Sequence, residues 1–288
     1  MDKFGRNYRL TVDTIDGGSV VIEPPFTVQF DIQRNVLSSA NVINVQVLNL
    51  SQRVRDQIRK DEYDYGVNLL MKLEAGYGQD LSTVATGNLR RCFTVRQGTE
   101  IVTSIDAFDG GFAFSNGLTS RTYQSGTPNN VILKDLAGTL REQGVSLGAI
   151  GQVDGEIPRG NSYTGNASEL LNELSGNKFF IDNQQVFILR ENEVLDLPVP
   201  VLTAKSGLLG TPVREKSNLI LEVLFEPNIR VAQKVQVISQ TADNYSGFYK
   251  VVAVHHSGII SGAVSGKATT KLNLFYGSES LRTVELLS

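Results

Sequence analysis

Apolar and polar residues alternate one by one along much of the first third of the chain. Phe26, Val28, Phe30 and Ile32 interleave with Thr27, Gln29, Asp31 and Gln33, and Ile43, Val45 and Val47 repeat the pattern. A period of two belongs to a strand with one buried and one wet face. Residues 9–13 and 19–23 flank Asp16, Gly17 and Gly18, whose glycines permit the positive φ of a tight connection, and an opening hairpin is predicted. Residues 67–75, 87–97 and 100–108 add three strands, the last two joined by a turn around Gly98. So many short strands in one stretch predict a barrel or sandwich.

Helical spacing interrupts this set once and then dominates the middle of the chain. Ser51 is placed to cap residues 52–60, where Val54 and Ile58 share a face while Arg53, Arg55, Asp56 and Arg59 face water. Pro128 after Thr127 opens a second helix at its first position, with an apolar stripe of Ile132, Leu133, Leu136 and Leu140 that Gly144 ends. Asn166 with Glu169 resembles a capping box heading Leu170, Leu171 and Leu174, up to Gly176. Residues 178–181 and 185–189 flank Asp182, Asn183 and Gln184 as a hairpin.

The last third returns to strands over 219–225, 234–239, 248–255 and 269–276, separated by Pro227, Asn244 and a Gly/Ser-rich loop from Ser257 to Gly266. The expected fold is mainly β with an α+β insertion: a β-barrel over 1–112, a small α+β module over 113–193 and a second barrel over 194–288. Strand-rich ends around a mixed middle suggest duplication of one architecture, although the two ends do not align by sequence.

Composition narrows the function. A length of 288 residues suits about two domains at roughly 150 residues each. Hydrophobic residues at 41% and charged residues at 20% exclude a mainly disordered chain. A net charge of −3 offers no excess of cations for a phosphate backbone. The single cysteine, Cys92, has no intramolecular disulfide partner and no CxxC pair for zinc, which points to a reducing compartment. Residues 1–6 hold no apolar run, and no stretch approaches the roughly 18 apolar residues of a membrane span. Neither export through an apolar leader nor membrane insertion is expected.

Candidate chemistry is sparse. His255 and His256 are adjacent on a strand and point to opposite faces, so they cannot share a metal. No GxSxG elbow accompanies them, and Ser257 and Ser261 are read as turn residues. The run Gly262, Ala263, Val264, Ser265, Gly266, Lys267, Ala268 has its glycines too close for a phosphate-binding loop and lacks the magnesium hydroxyl at Ala268. Asp61, Glu62 and Asp64 are candidate carboxylates for glycan cleavage but read more simply as a solvated charge run. Cys92 follows Arg90 and Arg91, which would lower a thiol pKa, yet Phe93 and Val95 beside it favour packing. Arg53, Arg55, Arg59 and Lys60 are interleaved with acids, as on a wet helix face. No catalytic, cofactor-binding or metal-ligating residue is assigned, no cofactor is expected, and the chain is expected not to be an enzyme.

Several blocks together resemble the baseplate hub, or tail tube initiator, proteins of contractile bacteriophage tails. They are Asn49, Leu50 and Ser51 before the charged helix; Glu74, Ala75, Gly76 and Tyr77; and Thr86, Gly87 and Asn88 before a strand that pairs with residues 101–110. Further on come Ser206, Gly207, Leu208, Leu209, Gly210, Thr211 and Pro212; residues 224–227; Gly247, Tyr249, Lys250 and Val251; and His256, Ser257 and Gly258. The chain departs from the pattern at Ala232 and Gln233, where Pro or Gly is common, and has no aromatic after the Gly-rich loop.

The resemblance implies two tube-fold-like barrels per chain and a homotrimer in which three chains present six similar barrels to a sixfold tube. It implies a structural hub of the virion tail baseplate, assembled in the bacterial host cytoplasm, that joins the central spike protein to the tail tube protein and templates the tube. Other baseplate proteins would be partners, DNA would pass the channel without specific binding, and polar positions such as Thr27, Gln29, Asp31 and Gln33 would suit a wet lumen. The alternatives are a tail-associated peptidoglycan hydrolase built on Asp61, Glu62 and Asp64, or the equivalent hub of a phage-like secretion or tailocin particle.

Overall fold

The structure, a computed structural model, describes residues 4–64, 67–263, 266–275 and 280–287. Met1, Asp2 and Lys3, Val264 and Ser265 of the Gly/Ser-rich run, and Tyr276 at the expected end of the last long strand lie outside the described residues. The chain is mainly β with a few helices. Its first part comprises β1 (Arg6–Asp13), β2 (Ser19–Ile22), β3 (Val28–Asn35), β4 (Val42–Leu48), α1 (Gln52–Ile58), β5 (Leu70–Tyr77), β6 (Asp80–Gln97) and β7 (Glu100–Phe108). The middle holds α2 (Gly111–Asn116), β8 (Leu118–Tyr123), α3 (Asn129–Arg141), β9 (Ser146–Ile150), β10 (Asn161–Asn166), α4 (Ala167–Leu174), β11 (Phe179–Ile181) and β12 (Gln185–Ile188). The last part holds β13 (Glu193–Leu195), β14 (Val201–Leu202), β15 (Leu208–Glu215), β16 (Asn218–Leu224), β17 (Lys234–Val237), β18 (Gly247–Ile260), β19 (Ala268–Phe275) and β20 (Arg282–Val284).

Alternation dictates the burial of these strands. In β3, Val28, Phe30 and Ile32 are buried while Gln29 and Asp31 are partly exposed and Gln33 is exposed, and β4 buries Ile43, Val45 and Val47. Three apolar cores result: one in the first part, one in the middle and one chiefly in the last part. The first core also takes in Phe225, Ile260 and Ala268 from far along the chain, so the two ends interlock.

The ends share a single 13-stranded sheet. Its first half runs β5-β6-β7-β4-β3, and the last part repeats that order as β17-β18-β19-β16-β15. The repetition reaches the irregularities. The β6–β7 ladder skips Arg90, and the β18–β19 ladder skips Val252. A bulge at the same place in both long strands bends each one where it leaves one partner for the next. The duplication suggested by the distribution of strands is thus visible as topology.

β18 joins the copies. Its beginning pairs with β17, and its remainder pairs with β3 from Ala253↔Asn35 to Ile260↔Val28, while β19 lies along its other edge. The expected loop from Ser257 to Gly266 is therefore corrected: residues through Ile260 remain in strand because neighbours on both sides take up their main-chain groups. Gly258 permits this close approach, since a Cβ there would lie 2.5 Å from Ala268 Cα.

The helices follow their local signals with small shifts. Ser51 accepts the Val54 N–H at 3.4 Å and Ile58 is buried, but α1 stops at Ile58 because Lys60 instead bridges to Cys92 through main-chain bonds of 3.1 and 2.8 Å. Pro128 caps α3 rather than opening it, and Asn166 caps α4 by accepting the Ser168 N–H at 2.9 Å. Asn183 and Gln184 both take positive φ in the two-residue-type turn between β11 and β12. No helix among the described residues is long and apolar enough to cross a membrane.

Replacing Gly258 by Ala is expected to lower stability by about 1–3 kcal/mol through overpacking against the β19 backbone. Urea denaturation measures it, and an unchanged midpoint would show that β18 and β19 separate freely.

Candidate functional site

Residues directly opposite each other on neighbouring strands project to the same face. Arg91 on β6 faces Asp106 on β7, which faces Asn44 on β4, which faces Asp31 on β3. The row crosses the junction to Ser257 on β18, Thr269 on β19 and Leu224 on β16. A parallel row runs Gln33, His255, Lys271, Glu222 and Leu209, and a third runs Phe93, Ser104, Gln46, Gln29 and Ile259. One predominantly polar face thus spans both copies of the repeated sheet. Gln29, Asp31 and Gln33 are on it as the alternation foretold; Thr27 precedes β3 and bonds Ser261 through their hydroxyls at 2.6 Å.

Charges on this face oppose one another. Arg91 pairs with Asp106 at 2.5 Å, His255 Nε2 meets Asp31 Oδ2 at 2.8 Å, and Lys267 Nζ donates to Glu222 at 2.7 Å. Because each carboxylate has a cationic or protonatable neighbour, the face offers a passing polyanion little net attraction.

Behind the junction lies a buried polar knot that the sequence reading did not find. Arg34 continues the inward register of Val28, Phe30 and Ile32, and its side chain is 1% exposed. It forks onto Asp182, Nε to Oδ1 at 2.7 Å and Nη2 to Oδ2 at 2.8 Å, and donates Nη1 to the Val84 carbonyl at 2.8 Å. Asp182 is fully buried at the start of the β11–β12 turn, and Arg230 Nη2 adds a 3.4 Å contact. Asp109 accepts the Asn183 and Gln184 N–H groups at 2.5 and 2.8 Å, and Asn41 donates to the Ile181 carbonyl at 2.9 Å. The middle hairpin is thereby bolted to the end of the first core. A charged residue in an apolar register was the one available signal.

Burial, then the neighbouring Asp182 carboxylate, raise the Asp109 pKa to about 7, against the N–H donors of Gln184 and Asn183 and the charge of Arg34. His256 is fully buried on the opposite face from His255, bonds Thr270 Oγ1 through Nδ1 at 2.9 Å and lies edge-on to Phe225. Burial, then Arg34 and His255, hold its pKa well below the ordinary histidine value, so it is neutral.

The remaining candidates are dispersed. Asp64 accepts the Asp61 N–H at 2.9 Å, Asp61 accepts the Glu62 N–H at 2.7 Å, and Glu62 pairs with Arg90, so these carboxylates hold a turn together. Cys92 is buried, and burial, then Asp106, push its thiol up to about 12. Lys60, expected on a wet helix face, is buried and donates Nζ to the Asp64 and Arg90 carbonyls at 3.3 and 3.4 Å. Lys267 precedes β19, Ala268 begins that strand, and Ser257 lies within β18. Among the described residues no group of three or more His, Cys, Asp or Glu is placed to hold a metal.

The family described as Baseplate hub gp41 has a model that matches residues 9–257. No curated protein matches by sequence. Among solved structures, the tail protein from Neisseria meningitidis MC58 is similar at a TM-score of 0.62 and 9% identity, over 94% of this chain and 97% of that one. The 43 kDa tail protein of prophage MuSo2 from Shewanella oneidensis is similar at 0.60 and 8% identity, over 92% and 96%. An E. coli protein described as a component of the type VI secretion system, with structural similarity to the T4 bacteriophage tail proteins gp27 and gp5, is similar at 0.58 and 10% identity, over 88% and 75%. At such identities the likeness is one of fold.

Replacing Arg34 by Met strands a buried carboxylate and is expected to cost about 3–5 kcal/mol, of which the double replacement with Asp182→Leu recovers more than half. Calorimetry of the four proteins tests it, and strict additivity would refute the coupling. With its folded pKa raised, Asp109 binds more protons folded than unfolded, so its contribution to stability falls as pH rises from the ordinary carboxylate range to about 7. His256, with its folded pKa depressed, contributes stability that is present above the ordinary histidine pKa and lost below it. Asp109→Asn is therefore expected to steepen the rise of melting temperature between pH 5 and 7, within the roughly 4–7 window of these groups, and an unchanged slope would refute this.

Proposed function

Because this chain belongs to the baseplate hub gp41 family and is a structural baseplate component of a phage tail, we propose that it works as a homotrimeric hub joining the central spike to the tail tube. A threefold spike and a sixfold tube need an adaptor in which each subunit presents the same surface twice. The observation that carries this reading is the repeated order β7-β4-β3 and β19-β16-β15, each preceded by a long bulged strand, within one uninterrupted sheet. Three chains then offer six copies, and the first ring of tube subunits assembles on them.

The polar sheet face supports the role of conduit wall. Its paired charges and its Gln, Asn and Ser side chains stay hydrated without gripping phosphates, so DNA passes without specific binding. The hub works by joinery rather than catalysis, is assembled in the host cytoplasm and contacts other baseplate proteins. The fold likeness to the type VI secretion component favours, as a second reading, the same adaptor role in a phage-like secretion or tailocin particle.

Mass photometry of the purified chain, alone and with its spike, is expected to give a trimer, and a cryo-EM map of the particle to put the face of Asp31, Asn44 and Ser257 against the channel. A chain that stays monomeric with spike present, or a map with that face turned outward, overturns the reading.

A further inference from the structure

Resting on the trimer reading, we propose that neighbouring subunits are joined by a strand seam between the distal half of β6 and β15 of a second copy. The pattern for this seam already exists inside each chain, where the distal half of β18 pairs with β3. In the duplication, β18 corresponds to β6 and β3 to β15. The counterpart of the β18–β3 seam is thus a contact between β6 and β15, and within one chain these strands are not neighbours.

The register can be read off. The Leu89 N–H bonds the Leu69 carbonyl at 2.7 Å just before the Arg90 bulge, and the Val251 N–H bonds the Gln233 carbonyl at 2.9 Å just before the Val252 bulge. Leu89 therefore matches Val251, and counting on from the bulge, Thr94 matches His256 and Val95 matches Ser257. On the other strand, Gln33↔Val42↔Phe108 matches Glu215↔Asn218↔Phe275, and Asp31↔Asn44 matches Val213↔Ile220. Inside the chain His256 faces Ile32 and Ser257 faces Asp31. Between chains, Thr94 then faces Arg214 and Val95 faces Val213.

Two independent features agree with that register. The first is hydrogen-bond phase. The main-chain N–H and C=O of Cys92 are turned to the open side of β6, where Lys60 takes them up, and alternation turns those of Thr94 and Arg96 the same way. On β15, Glu215 closes the hairpin with Asn218, so Val213 shares its phase and the groups of Arg214 are turned away from β16. Thr94 and Arg214 are thus in phase to exchange bonds. The second is apolar exposure: Val95 is 38% and Val213 61% exposed, and the register sets them side by side. Lys60 marks where the pairing stops, and there β15 turns away at Lys216 and Ser217. The seam extends the polar face from each chain to the next, and a head-to-tail contact repeated by a threefold rotation closes into a ring.

A disulfide tests it. Val95 and Val213 would form a non-hydrogen-bonded pair, whose short separation suits a cross-link. Val95→Cys combined with Val213→Cys, oxidised and run on a non-reducing gel, is expected to give covalent dimers and trimers. The pair Val21→Cys with Val213→Cys, on the unrelated edge strand β2, is expected to stay monomeric, and equal cross-linking there overturns the register. Trimers by mass photometry that do not cross-link at 95 and 213 overturn the seam and leave the trimer standing. A chain that never trimerises overturns the adaptor reading itself. Val95→Lys alone is expected to raise the concentration for half-assembly at least tenfold with an unchanged melting curve of the monomer.

Discussion

A single strand hydrogen-bonded along both edges holds this molecule together. β18 belongs to the second copy of the repeated sheet through β17 and β19 and to the first through β3. A strand committed on both sides has no freedom to slip, because a one-residue shift would exchange its two faces. That constraint seats His256 among Phe225 and Thr270 and keeps His255 on the wet face beside Asp31. It also makes two half-sheets into one surface.

The buried knot secures the same junction from behind. Arg34 faces Val254 across the β3–β18 ladder and reaches through the end of the first core to Asp182. A buried ion pair contributes little net stability, yet it specifies one arrangement, because either partner left alone is costly. The α+β module is fixed at a second point by Lys250, whose Nζ donates to the Arg190 carbonyl at 2.7 Å; burial lowers its pKa to about 8. The module is therefore held by both copies of the sheet at defined polar contacts.

Much of this was legible in residue order. The alternation of Val28, Phe30 and Ile32 identified β3 and its wet face, Ser51 and Asn166 marked helix starts, and Asp182, Asn183 and Gln184 marked a hairpin. Short strands such as β13, β14 and β20 were invisible because three or fewer residues carry no period. The extension of β18 through Ser257 and beyond was hidden for a different reason: Ser257 and Gly258 have turn composition and remain in strand only because both neighbours are present. Arg34 stood in an apolar register, but nothing near it in the chain announced an aspartate 148 residues away.

The sequence by itself determined which residues prefer strand or helix, which side of each strand is wet, and that no familiar catalytic motif is encoded, because these follow from neighbours within a few positions. Only the tertiary structure decided that the two strand-rich ends repeat one topology, that β18 welds them, and that polar residues from seven strands share a face. Strand pairing is a long-range choice made by backbone hydrogen bonds common to every residue type. Side-chain order limits that choice and does not spell it out.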